Sequence, residues 1–324
     1  MSNLETEPEE RVCADLSGRT DGIQILEPRL VPLGGPRAMT VRRTLPQRER
    51  SFIGAWCFVD HYGPDAVGER SMNVPPHPHT GLQTVSWLFA GEVEHRDSTG
   101  SHAFVRPGEL NLMTAGAGIS HSEVSTPTTP SLHGAQLWTA LPDAHRHIAP
   151  FFERFVPLPV EHQGAVVRVF LGSLLGQVST ATTFSPLLGA QIDLPPHTEI
   201  ALPVDPTFEH GVLLDTGAVA LDDEPVPLHS IGYRSPGADT LVLSTGDEPA
   251  RVLLLGGEPL HEQIVMWWNF IGRSHDEVEA FRTAWQSEVI DETDAAGRFG
   301  TVAGYDGAPL PAPPLPNVRL KPRE

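Results

Sequence analysis

Short apolar runs, broken at near-regular intervals by Gly, Pro and Asp, govern what this chain can fold into. Val85–Phe89 ends at Ala90-Gly91, Leu110–Met113 at Ala115-Gly116, and Ala135–Leu141 at Pro142-Asp143. Val166–Leu171, Gly211–Leu214, Leu241–Leu243 and Val252–Leu255 continue the pattern. Runs of about five residues at such spacing read as strands of a sandwich or barrel. Glycine (30) and proline (32) supply the turns and make up about a fifth of the 324 residues. That exceeds the usual share of about an eighth but stays below the ~25–30 % of disordered chains. The expected class is all-β.

One helix interrupts the pattern. Ser274 and Glu277 form an S-x-x-E capping box, and Val278, Phe281, Trp285 and Val289 follow on one face. From about Gly297 the sequence runs through PLPAPPLP, which predicts an extended or disordered tail. The strand pattern up to about residue 140 resembles that from about 165 to 260. Two stacked β units are therefore expected, joined by the stretch Pro142 to Gln163. The division is a flexible N-terminus (1–22), a first unit (23–150), a second unit (151–292) and a Gly/Pro-rich tail (293–324).

The net charge of −19 argues against duplex nucleic acid or an anionic membrane as a direct partner. The acidic start MSNLETEPEE lacks the apolar core of a signal peptide, and no apolar run approaches the ~18 residues of a membrane span. Cys13 and Cys57 are too few for a disulfide framework. Cys57 is expected buried and inert, and Cys13 lies in the N-terminal segment without a basic neighbourhood that would activate it. The expected address is the cytoplasm, and the expected state a monomer or weak oligomer.

The densest chemistry lies in NVPPHPHTGLQTVSW, residues 73–87. His77 and His79 are two apart, which puts both imidazoles on one face of an extended strand. Pro75, Pro76 and Pro78 discourage helix and confine the stretch to an edge or a strand entry. A matching pair occurs in TAGAGISHSEV, residues 114–124, where His121 and Glu123 are again two apart. Gly116 and Gly118 permit the sharp turn that would bring the second strand beside the first. Three imidazoles and a carboxylate suit divalent iron, manganese, nickel or copper better than a structural zinc cage. Four protein ligands around an octahedral ion leave about two positions for water, dioxygen or a chelating substrate. His145 and His147 repeat the H-x-H spacing without a partner pair and read as a solvated loop. His197, His210, His229 and His261 have no such spacing, so the second unit reads as metal-free.

The runs HPHTGLQTVSWLFAGEVEHRDSTG, PGE at 107–109 and MTAGAGISHSE at 113–123 resemble the pirin family of bicupins. So do FVDHYGP (58–64), AQLWTALP (135–142) and GGEPLHEQIVMWWNFIGRSHDEVEAF (256–281), and the likeness covers most of residues 20–290. The resemblance implies two tandem cupin, jelly-roll-like barrels. It implies a mononuclear iron, most favourably Fe(II), held in the first barrel by His77, His79, His121 and Glu123, with Mn, Ni, Cu or Zn as alternatives. It also implies either opening of a flavonol such as quercetin by dioxygen, or a non-catalytic, redox-dependent role toward a transcription regulator or metabolic enzyme. The partner is accordingly a small aromatic substrate or a regulatory protein. A metal-dependent isomerase or hydrolase follows only from analogy with other cupins.

One position departs from the pattern. Gln83 stands where cupins usually carry Glu, and an amide is no carboxylate ligand or base at neutral pH. It is expected to hydrogen-bond a ligand or substrate from beside the metal. If Gln83 faces inward with the histidines, alternation also sends Val85, Trp87 and Phe89 inward; Trp87 is then a candidate stacking surface for a flat substrate, with plain core filling the favoured role for each of the three. Asp60 and His61 are candidates for the pocket mouth, against an Asp-capped turn. His95 and Asp97 read as a local hydrogen-bonded pair rather than ligands, and Tyr233 receives no role.

Overall fold

A computed structural model of the chain describes residues 22–33, 39–66 and 72–322. Cys13 and the 1–21 portion of the N-terminal segment lie outside the described residues. Among the described residues the architecture is all-β with one α-helix: two barrels, each a seven-stranded sheet facing a four-stranded one, and two short two-stranded ribbons, with the named strands pairing antiparallel throughout. Among the described residues no helix is long and apolar enough to cross a membrane.

In the first barrel the large sheet runs, in spatial order, Phe151–Phe155, Leu110–Thr114, Leu82–Ala90, Ser131–Ala140, Trp56–Ala66, Met39–Leu45 and Arg29–Leu33. The small sheet runs Asn73–His79, Ile119–Ser125, Val93–Asp97 and His102–Val105. The two large sheets pack back to back. Val59, Val85, Trp87 and Leu137 of the first share one buried cluster with Phe170, Leu213, Leu253 and Leu255 of the second. Trp56 Nε1 crosses the seam to the carbonyls of Leu188 (3.2 Å) and Gly256 (3.1 Å). A separate apolar cluster, with Val167, Ile192, Val212, Leu243 and Val252, fills the second barrel.

The division expected at residues 23 and 150 needs adjusting, because the halves exchange edge strands. Gln24–Leu26 pairs with Ile231–Arg234 of the second large sheet. Phe151–Phe155 pairs with Leu110–Thr114 of the first.

The helix spans His275–Trp285 behind an N-cap at Ser274, whose hydroxyl accepts from the Glu277 N–H at 3.2 Å. Glu277 completes the cap one residue early, taking the Arg273 N–H at 2.6 Å. Val278, Phe281 and Trp285 are buried, while Val289 falls in a following wider turn, Gln286–Ile290. The tail corrects its expectation. Its described residues form neither strand nor helix, yet they are packed: Phe299, Ala312 and Leu320 are buried with Trp285 and Phe270 in one cluster. It lies on the histidine-bearing strands, where Ser120 Oγ donates to the Phe299 carbonyl (3.0 Å) and the Leu310 N–H to the Pro76 carbonyl (2.8 Å).

Candidate metal centre

Asn73–His79 is the edge of its sheet, where three prolines can sit because they have no ladder N–H to donate. Its partner Ile119–Ser125 sets His121 opposite His77 and Ile119 opposite His79. The register slips between His121 and Glu123, with Glu123 opposite Val74, so the proline run carries an extra residue there. Such a bulge re-aims the neighbouring side chains. The turn into Ile119–Ser125 needs Gly116: its φ is +51°, and a Cβ would lie 2.1 Å from the Ile148 carbonyl.

The three imidazoles meet. Ring centroids are 5.1 Å apart for His77–His79, 4.3 Å for His77–His121 and 5.0 Å for His79–His121. His79 Nε2 and His121 Nε2 lie 3.1 Å apart, and the three ligand atoms fall within 4.8 Å of one another. Glu123 groups by the same measure with His121 and with His95, which sequence reading left out. His77, His79 and His121 are fully buried, and Glu123 is 2 % exposed.

Two tautomers follow from the outer partners. His77 Nδ1 lies 2.8 Å from the Pro75 carbonyl and His79 Nδ1 3.1 Å from the Asn269 carbonyl. A carbonyl only accepts, so each Nδ1 carries the proton and each Nε2 presents a lone pair. His77 Nε2 is buried with no hydrogen-bond partner. Burial pushes His77 down to about 4 and drives His79 and His121 well below the ordinary histidine value. Neutral imidazoles with converging bare nitrogens beside a carboxylate are what a divalent transition metal requires. The donor set therefore fits one.

The residues expected around the site are distributed differently. Gln83 faces away from it. Its Nε2 donates to Thr114 Oγ1 (2.9 Å) and the Thr182 carbonyl (3.0 Å), and its Oε1 accepts from Thr139 Oγ1 (3.3 Å). Trp87 shares that face, stacks on Phe170 at 4.6 Å and donates to Gln191 Oε1 at 2.9 Å across the seam. Val85 joins the same inter-barrel cluster, with Phe89 packed against it. The reason is local. The turn Thr80-Gly81, with Gly81 at φ +66°, carries the chain from the small sheet to the large one. Alternation restarts there, and even-numbered residues turn inward. Ser86 Oγ lies 2.8 Å from Gln136 Oε1 and 3.5 Å from Glu123 Oε1. Trp138 presents its ring to His79 at 5.1 Å.

Asp60 and His61 leave the pocket mouth too, and neither caps a turn, since both lie within Trp56–Ala66. Asp60 is buried against Arg43 (2.7 and 2.8 Å). His61 points the opposite way, into the seam. There His61 Nε2 and His133 Nε2 lie 2.7 and 2.6 Å from Asp215 Oδ1, with Arg251 3.4 Å from Oδ2. Two N–H donors and a guanidinium saturate that carboxylate, so this cluster bridges the barrels through hydrogen bonds. Nothing local in sequence pairs positions so far apart as His133 and Asp215. His145 and His147 are exposed. His210 is fully buried, and burial pushes it down to about 4. Cys57 is buried, as expected.

Two stacked cupin barrels, the first holding three converging imidazoles and a carboxylate, make this a bicupin. Two family models match it: Pirin over residues 38–139 and Pirin C-terminal cupin domain over residues 189–291. The chain belongs to the pirin family. A Pseudomonas aeruginosa protein, provisionally named quercetin 2,3-dioxygenase, is 41 % identical over 98 % of each chain. A Caulobacter vibrioides pirin-like protein is 36 % identical over 76 % of this chain and 88 % of its own. The crystal structure of a quercetin 2,3-dioxygenase from Acinetobacter baumannii superposes with a TM-score of 0.84 at 36 % identity, covering 92 % of this chain and 98 % of that one.

Proposed function

We propose that His77, His79, His121 and Glu123 hold one Fe(II) ion and that the protein is a dioxygenase opening a flavonol-like or related enediol substrate. The observation that carries this reading is the convergence of the three buried imidazoles beside Glu123. The likeness to proteins named quercetin 2,3-dioxygenase, at 41 % and 36 % identity, supports the reaction class. Bound there, iron supplies the Lewis acidity and one-electron chemistry that let dioxygen react with an organic substrate.

The chain's own groups shape that chemistry. Three neutral imidazoles and one carboxylate leave a divalent ion with a net positive charge, so the site favours an ionised enediol oxygen over a neutral one. Pro75 and Asn269 hold the His77 and His79 rings through their Nδ1 protons. Ser86 Oγ has its short contact with Gln136 Oε1 at 2.8 Å and lies beside the carboxylate, 3.5 Å from Glu123 Oε1. Burial of all four side chains excludes bulk water. The absence of a carboxylate at position 83 takes nothing from this site, because Gln83 faces the seam.

The test is metal analysis of protein purified without a chelating tag, then anaerobic Fe(II) loading and oxygen uptake with quercetin. The expected result is one ion per chain and oxygen consumption coupled to loss of quercetin absorbance. No turnover with iron, manganese, nickel or copper overturns the reading.

A further inference from the structure

We infer that His95 and Asp97 form a hydrogen-bond relay that fixes the tautomer of His121 and so makes it a ligand; this rests on the metal-centre reading above. The strand Val93–Asp97 lies beside Ile119–Ser125, with His95 opposite Glu123 and Asp97 opposite His121. His95 Nδ1 sits 3.4 Å from His121 Nδ1, and His95 Nε2 sits 3.1 Å from Asp97 Oδ2. Both residues are buried, His95 at 3 % exposure and Asp97 at 2 %. The His95 ring stacks on Phe152 at 4.7 Å and 24°, which holds its plane.

The protons follow in order. Asp97 Oδ1 accepts three donors: the Thr99 N–H (2.9 Å), the Thr99 hydroxyl (2.6 Å) and the Ser101 N–H (3.0 Å). That leaves Oδ2 to accept from His95 Nε2–H. His95 Nδ1 is then a lone pair and accepts from His121 Nδ1–H. His121 Nε2 is therefore bare, pointing at His79 Nε2 3.1 Å away. Backbone carbonyls set the tautomers of His77 and His79, whereas side chains set that of His121. His95 and Asp97 are positioning residues, acting on a ligand without being ligands.

The isosteric change Asp97→Asn exposes the relay. The three donors on Oδ1 require the amide oxygen there, so the new NH2 must face His95 Nε2. His95 then carries its proton on Nδ1, against His121. His121 must move its own proton to Nε2, where it blocks the lone pair. His95→Gln keeps the donor–acceptor order, and His95→Leu removes it.

The experiment titrates Co(II) into metal-free full-length wild type, Asp97→Asn, His95→Gln and His95→Leu, followed by visible absorption. Asp97→Asn and His95→Leu should weaken binding by roughly ten- to hundredfold, the usual effect of losing a partner behind a ligand. His95→Gln should stay close to wild type. Long-range nitrogen–proton NMR of the metal-free protein should place the His121 proton on Nδ1 in wild type and on Nε2 in Asp97→Asn. Equal cobalt affinity for Asp97→Asn and wild type, equal loss in His95→Gln and His95→Leu, or an Nε2 proton on wild-type His121 overturns the relay. A wild type that takes up no cobalt instead fails the metal-centre reading, and the relay with it.

Discussion

The Leu310 N–H donates to the Pro76 carbonyl at 2.8 Å, one residue before His77. The C-terminal tail thus takes the free edge of the strand that carries two of the three converging histidines. It is anchored again where Trp285 Nε1 donates to the Leu310 carbonyl at 2.8 Å.

Phe299 is the apolar pin of that tail, fully buried and 5.5 Å from the Trp285 ring and 5.9 Å from Phe270. Phe299→Ala should cost about 3–5 kcal/mol, the range for a buried aromatic reduced to Ala. Urea denaturation of both proteins checks this; an unchanged midpoint would show that the tail adds nothing to the barrel.

Gln83→Glu should leave metal content unchanged and lower stability by about 1–3 kcal/mol. The carboxylate would face the Thr182 carbonyl, which now accepts from the Gln83 amide. Elemental analysis and thermal melting together decide it. A second bound ion, or a gain in metal affinity, would mean that position 83 reaches the centre.

His210 should make the protein labile to acid. Burial lowers its folded pKa to about 4, whereas the unfolded chain titrates near ~6.5. Between those values the unfolded state binds a proton that the folded state does not, so stability falls as pH drops through that window. The contribution approaches ~1.4 kcal/mol per pH unit within the window. His210→Leu should lessen the dependence of unfolding free energy on pH between about 6.5 and 4, leaving the share of the other buried histidines such as His77; an identical slope in both proteins excludes His210 as a source.

Metal should stabilise wild type but not His77→Ala. An ion at a hundred times its Kd adds about 2.7 kcal/mol to a folded state that alone binds it. His77 Nε2, buried and unpartnered, is the donor whose removal should abolish that gain. Melting temperatures with and without Co(II) test it, and an equal rise in both proteins would place the ion elsewhere.

The barrels and the helix were legible because their signals are local: strand length, turn residues, and a Ser274–Glu277 cap that forms largely as its spacing implies. The convergence of His77, His79 and His121 was legible because alternation holds within a strand. Alternation does not carry through Thr80-Gly81, where the chain changes sheets, and so Gln83 and Trp87 face the seam rather than the histidines. The pairing of His95 with Asp97 is legible because it is local, whereas the contact of His95 with His121 comes from the neighbouring strand and has no local signal. The His61–Asp215 contact spans 154 positions and could come only from the docking of two barrels. The tail's composition says that it makes no regular structure; it does not say that Phe299 is buried.

The exchange of Gln24–Leu26 and Phe151–Phe155 between the two large sheets means that severing the chain near residue 150 strips each half of an outer ribbon. Each fragment would then offer unsatisfied peptide groups to any passing chain, the usual start of clumping. The halves are therefore obligate companions: they should melt in one transition, and neither should travel through evolution or the test tube alone.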